Sequence, residues 1–178
     1  MAQEKHIRCK VKEILSKGFS LIELMVALAI FCVIIALTFT NVSFLEQSVA
    51  HNEIDKLHSI AHYLARRAQM TNQEQVLQFD RLGRSYSFNG RKEMLPSGIE
   101  FGTLPGIKGP PSSATQAITN PITFKGEKIT FHPQGIMQSG TVYLMHKKNQ
   151  SMYGLSCAVA QVSFLRKYRY DKRWILME

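Results

Sequence analysis

The stretch K-G-F-S-L-I-E-L-M-V-A-L-A-I, from Lys17 to Ile30, opens the apolar block that decides the fold. The block continues to Phe39, and Glu23 is its one acidic or basic residue. At about 1.5 Å per residue, a helix over 19–40 would span about 30 Å, the thickness of a bilayer core. The sequence therefore predicts a transmembrane helix there. Glu23 needs a reason, because a charge at the bilayer centre costs about 2.5–3.5 kcal/mol.

The segment before the block, residues 1–18, is basic and ends in Gly18. It carries Lys5, Arg8, Lys10, Lys12 and Lys17 against Glu4 and Glu13. Positive charges favour the cytoplasmic side, so we expect the chain after Phe39 to lie on the other side of the membrane. A secretory signal peptide has a shorter apolar core and a small-residue cleavage site after it. Here the glycine precedes the apolar run, so residues 1–18 are interpreted as a different kind of leader.

Residues 41–70 predict an amphipathic helix that continues from the apolar one. No proline or glycine interrupts the chain from Phe19 to Met70. Apolar residues recur there at spacings of three and four, which is the pattern of a helix with one buried face. They are Ala50, Ile54, Leu57, Ala61, Leu64 and Ala68. We therefore expect a long helix, with a bend near Thr40-Asn41, that leads into the outer domain.

Residues 71–178 have the composition of a β-rich domain. Short alternating segments predict strands, and Asn89-Gly90 is a turn signal. The segments are EQVLQFD, SYSFN, GIEFGTL, ITF, KITFHPQG, GTVYLMHK, LSCAVAQVSFL and KYRYDKRWIL. Residues Pro105 to Pro121 are rich in Gly, Pro, Ser and Thr and predict a loop. A long helix followed by strands predicts an α+β domain with the helix on one face of an antiparallel sheet.

Sequence motifs for catalysis or cofactor binding are absent. The sequence has no G-x-S-x-G and no phosphate-binding loop, so we expect no catalytic or cofactor-binding residues and no enzyme activity. His58 and His62 are four apart on the predicted helix, a spacing that can hold a metal. They are interpreted as ordinary boundary histidines, and no metal site is predicted. Cys157 is the one cysteine of the outer domain and is expected to be a buried apolar side chain.

The opening stretch resembles the N-terminal signature of type IV prepilins and type II secretion pseudopilins. In that family a prepilin peptidase of the inner membrane cuts after the leader glycine, and the new N-terminal residue is methylated. The resemblance implies cleavage between Gly18 and Phe19 and N-methylation of Phe19. It also implies that Glu23, at the fifth mature position, pairs with the Phe19 amine of a neighbouring subunit. The two groups, each costly to leave unpaired in lipid, then satisfy one another.

The rest of the chain resembles the GspH/FimT subgroup of minor pilins and pseudopilins. LHSIAHYLARRAQMTNQEQVLQF, LPSGIEF and ITFHPQGIMQSGTVYL, the last as a hairpin, carry this resemblance. It implies a type IV pilin-like α+β fold with a long N-terminal helix packed on an antiparallel sheet. The chain ends FLRKYRYDKRWILME, which departs from the small-glycine-arginine ending of the subgroup.

The resemblance implies a structural subunit of a type II secretion pseudopilus or a type IV pilus, which primes assembly or caps the tip. The implied partners are the prepilin peptidase, other major and minor pilins or pseudopilins, the inner-membrane assembly platform, and DNA or secreted cargo. The implied location is the inner membrane, single-pass with the C-terminal domain in the periplasm, and then the filament. A stable single-span protein that is never processed is the alternative outside this family.

The C-terminal tract is the other candidate functional segment. Basic residues for phosphates interleave there with aromatic residues for stacking, as in surfaces that bind nucleic acid. The candidate residues are Arg166, Lys167, Arg169, Lys172 and Arg173, with Tyr168, Tyr170 and Trp174 between them. This pattern leaves two interpretations open. One is a DNA-binding minor pilin; the other is a final amphipathic strand with its aromatic residues toward the sheet or a neighbour and its basic residues in solvent.

Overall fold

The computed structural model describes residues 20–40, 42–111, 114–115, 117–159 and 164–177, without the side chains of 38–47. The predicted leader over residues 1–18 and the predicted methylation site at Phe19 lie outside these ranges. Within them the chain is divided between two compact units, Met1–Val42 and Ser43–Glu178.

The first unit contains helix α1, Leu21–Thr40. Its sequence has no glycine or proline, and from Leu21 to Leu37 its residues are apolar around the whole circumference apart from Glu23 near the start. Every described side chain of α1, from Leu21 to Leu37, is exposed. Counting only the described residues, none of the helices has both the length and the apolar character needed to cross a membrane.

Helix α2, Val42–Thr71, supplies one wall of the core of the second unit. The predicted apolar face is confirmed, because all six residues of the stripe are fully buried. They are Ala50, Ile54, Leu57, Ala61, Leu64 and Ala68. The small alanines alternate with larger side chains, so the helix can approach the strands closely while Ile and Leu fill the space between them.

The described part of the second unit holds nine strands in two antiparallel sheets. They are β1 Gln75–Asp80, β2 Ser85–Phe88, β3 Arg91–Met94, β4 Ile99–Phe101, β5 Lys128–Phe131, β6 Gly140–His146, β7 Met152–Cys157, β8 Arg166–Asp171 and β9 Arg173–Met177. The first sheet has the order β3-β2-β1-β5, and the second has the order β4-β6-β7-β8-β9. The rings of Phe79 in β1 and Phe101 in β4 meet edge to face, with their centres 5.7 Å apart. Both sheets therefore contribute to one core with α2.

The predicted α+β class is confirmed: the helix packs on antiparallel sheets, which is consistent with a type IV pilin-like architecture. The division into two sheets was not predicted. The predicted ITF strand is only a bridge from Ile122 to Val142, and β3 was missed because RKEM lacks β-branched and aromatic residues.

The predicted hairpin over ITFHPQGIMQSGTVYL is wrong. Strand β5 pairs with β1 in the first sheet, whereas β6 pairs with β4 and β7 in the second. After the turn at Gly135, which has φ 76°, the returning chain makes one bridge, between Met137 and Phe131, and then passes to the other sheet.

The C-terminal tract forms a hairpin of β8 and β9 rather than one strand. The chain reverses at Lys172, which adopts a left-handed φ of 57°, and Asp171 then pairs with Arg173. Lysine is an uncommon residue at positive φ, and no glycine or asparagine marks this turn. The reversal therefore had only Asp171, directly before Lys172, as a local turn signal in the sequence.

Candidate functional site

The start of α1 is the part of the candidate assembly site that the structure describes. Ser20 precedes the helix, and its Oγ accepts a hydrogen bond from the Ile22 amide at 3.2 Å. The Glu23 carboxylate turns back and accepts a hydrogen bond from the Ser20 amide at 3.0 Å. Leu24 N–H then donates to Ser20 O at 3.1 Å, the first helical bond. This is a reciprocal cap of the Ser-x-x-Glu type.

The cap gives Glu23 a role within its own chain that the interpretation by resemblance missed. The signal was available, since a serine followed three residues later by glutamate at the head of an apolar run is a helix-start signature. A carboxylate in the first turn also lies favourably at the positive end of the helix dipole. In the sequence, Glu23 follows the predicted new N-terminal residue, Phe19, by four positions, and Phe19 lies outside the described residues.

The C-terminal hairpin distributes the five candidate basic residues over two faces and a turn. Side chains alternate along a strand, and directly opposed residues share a face. Lys167, Arg169 and Arg173 therefore lie on the face that also holds Asp171, and Arg166 lies on the opposite face. Lys172 is at the turn. The structure does not gather these residues into one basic surface.

Two of the five basic residues have an acidic partner. Lys167 Nζ donates to Asp55 Oδ1 in α2 at 2.7 Å, and its side chain is only 13% exposed. Arg169 Nη2 lies 3.8 Å from Asp171 Oδ2 across an open surface. Arg166, Lys172 and Arg173 are exposed, and the Arg166 guanidinium lies 5.2 Å from the centre of the Phe164 ring. Most of the charge offered to solvent is therefore carried by these three residues.

The aromatic residues of the hairpin pack with one another. Trp174 contacts Tyr143, Tyr168 and Tyr170, with ring centres 5.7, 6.4 and 5.3 Å away. Its indole N–H donates to Lys108 O at 2.8 Å, which ties the loop after β4 to the sheet. This packing corresponds to the interpretation in which the aromatic residues face the sheet, and it leaves Tyr168 buried and unable to stack on a base.

A cavity of about 360 Å³ lies between this loop and strands β6 and β7. Thr141 Oγ1 donates to Ser156 Oγ at 2.9 Å in its wall, and Cys157 is a further wall residue. Burial raises the pKa of the Cys157 thiol, so the thiol stays protonated at neutral pH and is a poor nucleophile. The expectation of a buried, apolar Cys157 is confirmed by its 2% exposure.

His58 and His62 lie closer together than their spacing alone predicts. Their Nε2 atoms are 3.1 Å apart, and the rings meet edge to face. The His58 Nε2 atom is also 3.3 Å from Leu165 O, just before β8. Within the described ranges, no group of three or more His, Cys, Asp or Glu side chains is arranged around a metal-sized space.

Comparison with known families gives one match. Residues 15–39 match the family model of the prokaryotic N-terminal methylation motif. No curated protein and no solved structure matched the chain. The matched range contains Gly18, Phe19, the capped start of α1 and almost all of that helix. The chain therefore carries, over residues 15–39, the leader motif of type IV prepilins, which supports a type IV pilin or pseudopilin.

Proposed function

We propose that the chain is a minor pilin or pseudopilin, a structural component of a type II secretion pseudopilus or a type IV pilus. In this role it primes assembly or caps the tip and catalyses no reaction itself. The observation that carries the proposal is the methylation motif over residues 15–39, together with a glutamate at the head of an apolar helix. The GspH/FimT resemblance favours the minor role.

Processing follows from the same motif. A prepilin peptidase would cut between Gly18 and Phe19, and Phe19 would be methylated. Before assembly, the chain would be anchored in the inner membrane by residues 19–40, with the C-terminal domain in the periplasm. The exposed apolar side chains of α1 support this, because such a surface requires lipid or other apolar helices around it.

Assembly would replace lipid around α1 by the helices of neighbouring subunits. The Phe19 amine of one subunit would then pair with Glu23 of another. The partners of the chain in assembly would be the assembly platform and other pilins. Within the described residues, the Ser20 amide donates to the Oε2 atom of Glu23. A carboxylate can accept several hydrogen bonds, so capping and pairing are compatible.

The replacement Glu23→Gln separates these two roles. Glutamine can occupy the same place in a reciprocal cap, whereas it cannot form an ion pair with an amine. In cells with active prepilin peptidase, we expect this variant to be processed normally and to enter sheared filaments far less than the parent. Ser20→Ala, which removes the hydroxyl half of the cap but keeps the charge, is the control. Equal incorporation of the glutamine variant and the parent would exclude the pairing.

We also propose nucleic-acid binding, for natural transformation, as a second candidate function. The exposure of Arg166, Lys172 and Arg173 supports it, although these residues lie on two faces and the turn of the hairpin rather than on one surface. Reversing these three charges in the unit Ser43–Glu178 should abolish retention of DNA, and retention should weaken with added salt. Lys167 is unsuitable for this test, because its reversal would place a negative charge beside Asp55. Retention that survives the triple reversal would exclude the hairpin as the binding surface.

A further inference from the structure

The histidine pair of α2 has a geometry that the proposed filament role does not use. His58 and His62 stand one turn apart, and their Nε2 atoms converge to 3.1 Å. Nitrogen ligands lie about 2.0–2.1 Å from zinc and similar ions, so two nitrogens 3.1 Å apart subtend an angle of roughly 100° at a shared ion. That angle lies between the tetrahedral and square-planar values. To aim both Nε2 lone pairs at one ion, the His58 ring must give up its contact with Leu165 O.

His58 lies among groups of both charges and next to His62. Burial, followed by the neighbouring His62, lowers the pKa of His58, and Lys167 lowers it further. The Leu165 carbonyl and Asp55 act in the opposite direction, and the net shift is downward. Lys167 pairs with Asp55 at 2.7 Å, and Arg66 and Arg67 are further positive charges on the same side of α2 as the pair.

The pair opens onto a groove along the outer side of α2. Ser59, Tyr63 and Met70 contribute to the groove, and Met70 is almost fully exposed. Arg67 donates from Nη1 to Tyr63 OH at 3.1 Å, which holds that guanidinium along the helix. The outer side of the pair is therefore open to water, which can fill the coordination positions that two protein ligands leave free.

We propose that His58 and His62 form a two-histidine binding site for a divalent transition-metal ion of the copper, nickel and zinc class. Imidazole suits these ions, and a site without a carboxylate or thiolate discriminates against magnesium and calcium. In the absence of metal, the two rings share a hydrogen bond. Leu165 O can only accept a hydrogen bond, so without metal the proton lies on His58 Nε2. Binding requires His58 to change to the Nδ1–H tautomer, so that its Nε2 lone pair faces the ion and no net proton is released.

Calorimetric titration of the untagged full chain in detergent tests the site. We expect binding of Cu²⁺ to be tightest, Ni²⁺ and Zn²⁺ to be weaker, and Mg²⁺ to be undetectable. His62→Ala should weaken Cu²⁺ and Zn²⁺ binding at least tenfold, and His58→Ala should do the same. His51→Ala, a substitution at an exposed histidine of the same helix, is the matched control and should leave the affinity unchanged.

The electron paramagnetic resonance spectrum of the Cu²⁺ complex provides a second readout. Two equivalent imidazole nitrogens should be present in the parent, and one should be lost in His62→Ala. His62 is the safer variant for folding, because its side chain lies on the exposed side of α2. Unchanged affinity or an unchanged nitrogen pattern in this variant would overturn the proposal and leave the pair as a hydrogen bond only.

Discussion

Lys167 of strand β8 donates a 2.7 Å hydrogen bond to Asp55 of helix α2 and so joins the C-terminal hairpin to the helix. The two residues are 112 positions apart in the sequence. The Lys167 side chain is largely buried, whereas Asp55 also lies 3.3 Å from His51 at the helix surface. A residue that the sequence pattern grouped with candidate phosphate ligands thus has a structural contact inside the domain.

Replacement of Lys167 by glutamine should lower the free energy of unfolding of the unit Ser43–Glu178 by about 1 kcal/mol. A charge-assisted hydrogen bond is worth more than a fully exposed ion pair, and this one is partly buried. Chemical denaturation measures the change, and Lys172→Gln at the exposed turn is the control, with an effect within about 0.5 kcal/mol. If the two variants are equally stable, the contact with Asp55 contributes nothing.

Loss of the Tyr86 hydroxyl should destabilise the domain, because this hydroxyl is a hydrogen-bond donor to the buried carboxylate of Glu53. Tyr86 OH donates to Glu53 Oε1 at 2.8 Å, and both residues are buried. Burial, followed by this hydrogen bond, raises the pKa of Tyr86. Tyr86→Phe leaves the acceptor without this donor and should cost about 1–3 kcal/mol.

Glu53→Gln is the matched variant, because it keeps an oxygen that can accept from Tyr86. It should cost less than Tyr86→Phe, and the two substitutions combined should be less destabilising than the sum of their separate effects. Strict additivity of the two effects would contradict the coupling between these side chains.

Replacement by alanine should destabilise the domain at one of two glycines on neighbouring strands and have little effect at the other. A Cβ at Gly140 would lie 2.6 Å from Phe124 Cδ1, in a ring that is itself buried. Gly140→Ala should therefore destabilise the domain by about 1–3 kcal/mol through overpacking. A Cβ at Gly154 would lie 3.4 Å from Tyr143 and 3.5 Å from Trp174, which is ordinary contact.

Gly154→Ala is accordingly expected to change the melting temperature little, since it also restricts the unfolded chain. Thermal unfolding of the two variants side by side checks both expectations. A larger loss at position 154 than at position 140 would contradict the described packing of Phe124 and of the aromatic residues around Trp174.

The features that were predicted best from the sequence are those that depend on a regular spacing of nearby residues. The buried face of α2 followed from a spacing of three and four because every turn of a helix presents the same side to the core. The reciprocal cap of Ser20 and Glu23 was equally local and was missed only because the glutamate was interpreted through its partner in a filament.

The pairing of strands that are distant in the sequence could not be predicted from local patterns. Nothing in the residues of β5 and β6 states that they enter different sheets, since that choice depends on strands β1 and β7 elsewhere in the chain. The turn at Lys172 lacks a glycine, so the hairpin was interpreted as one strand. The contact of Lys167 with Asp55 depends on both the helix face and the hairpin register, and no spacing in the sequence encodes it.

The most direct test of a processed pilin is mass spectrometry of the mature N-terminus, on protein extracted from membranes of cells with active prepilin peptidase. The predicted result is an N-terminal peptide that starts at Phe19 and is heavier by one methyl group, and cells without the peptidase should retain the leader. A chain that still begins at Met1 when the peptidase is active, or that is cut elsewhere than after Gly18, would contradict it.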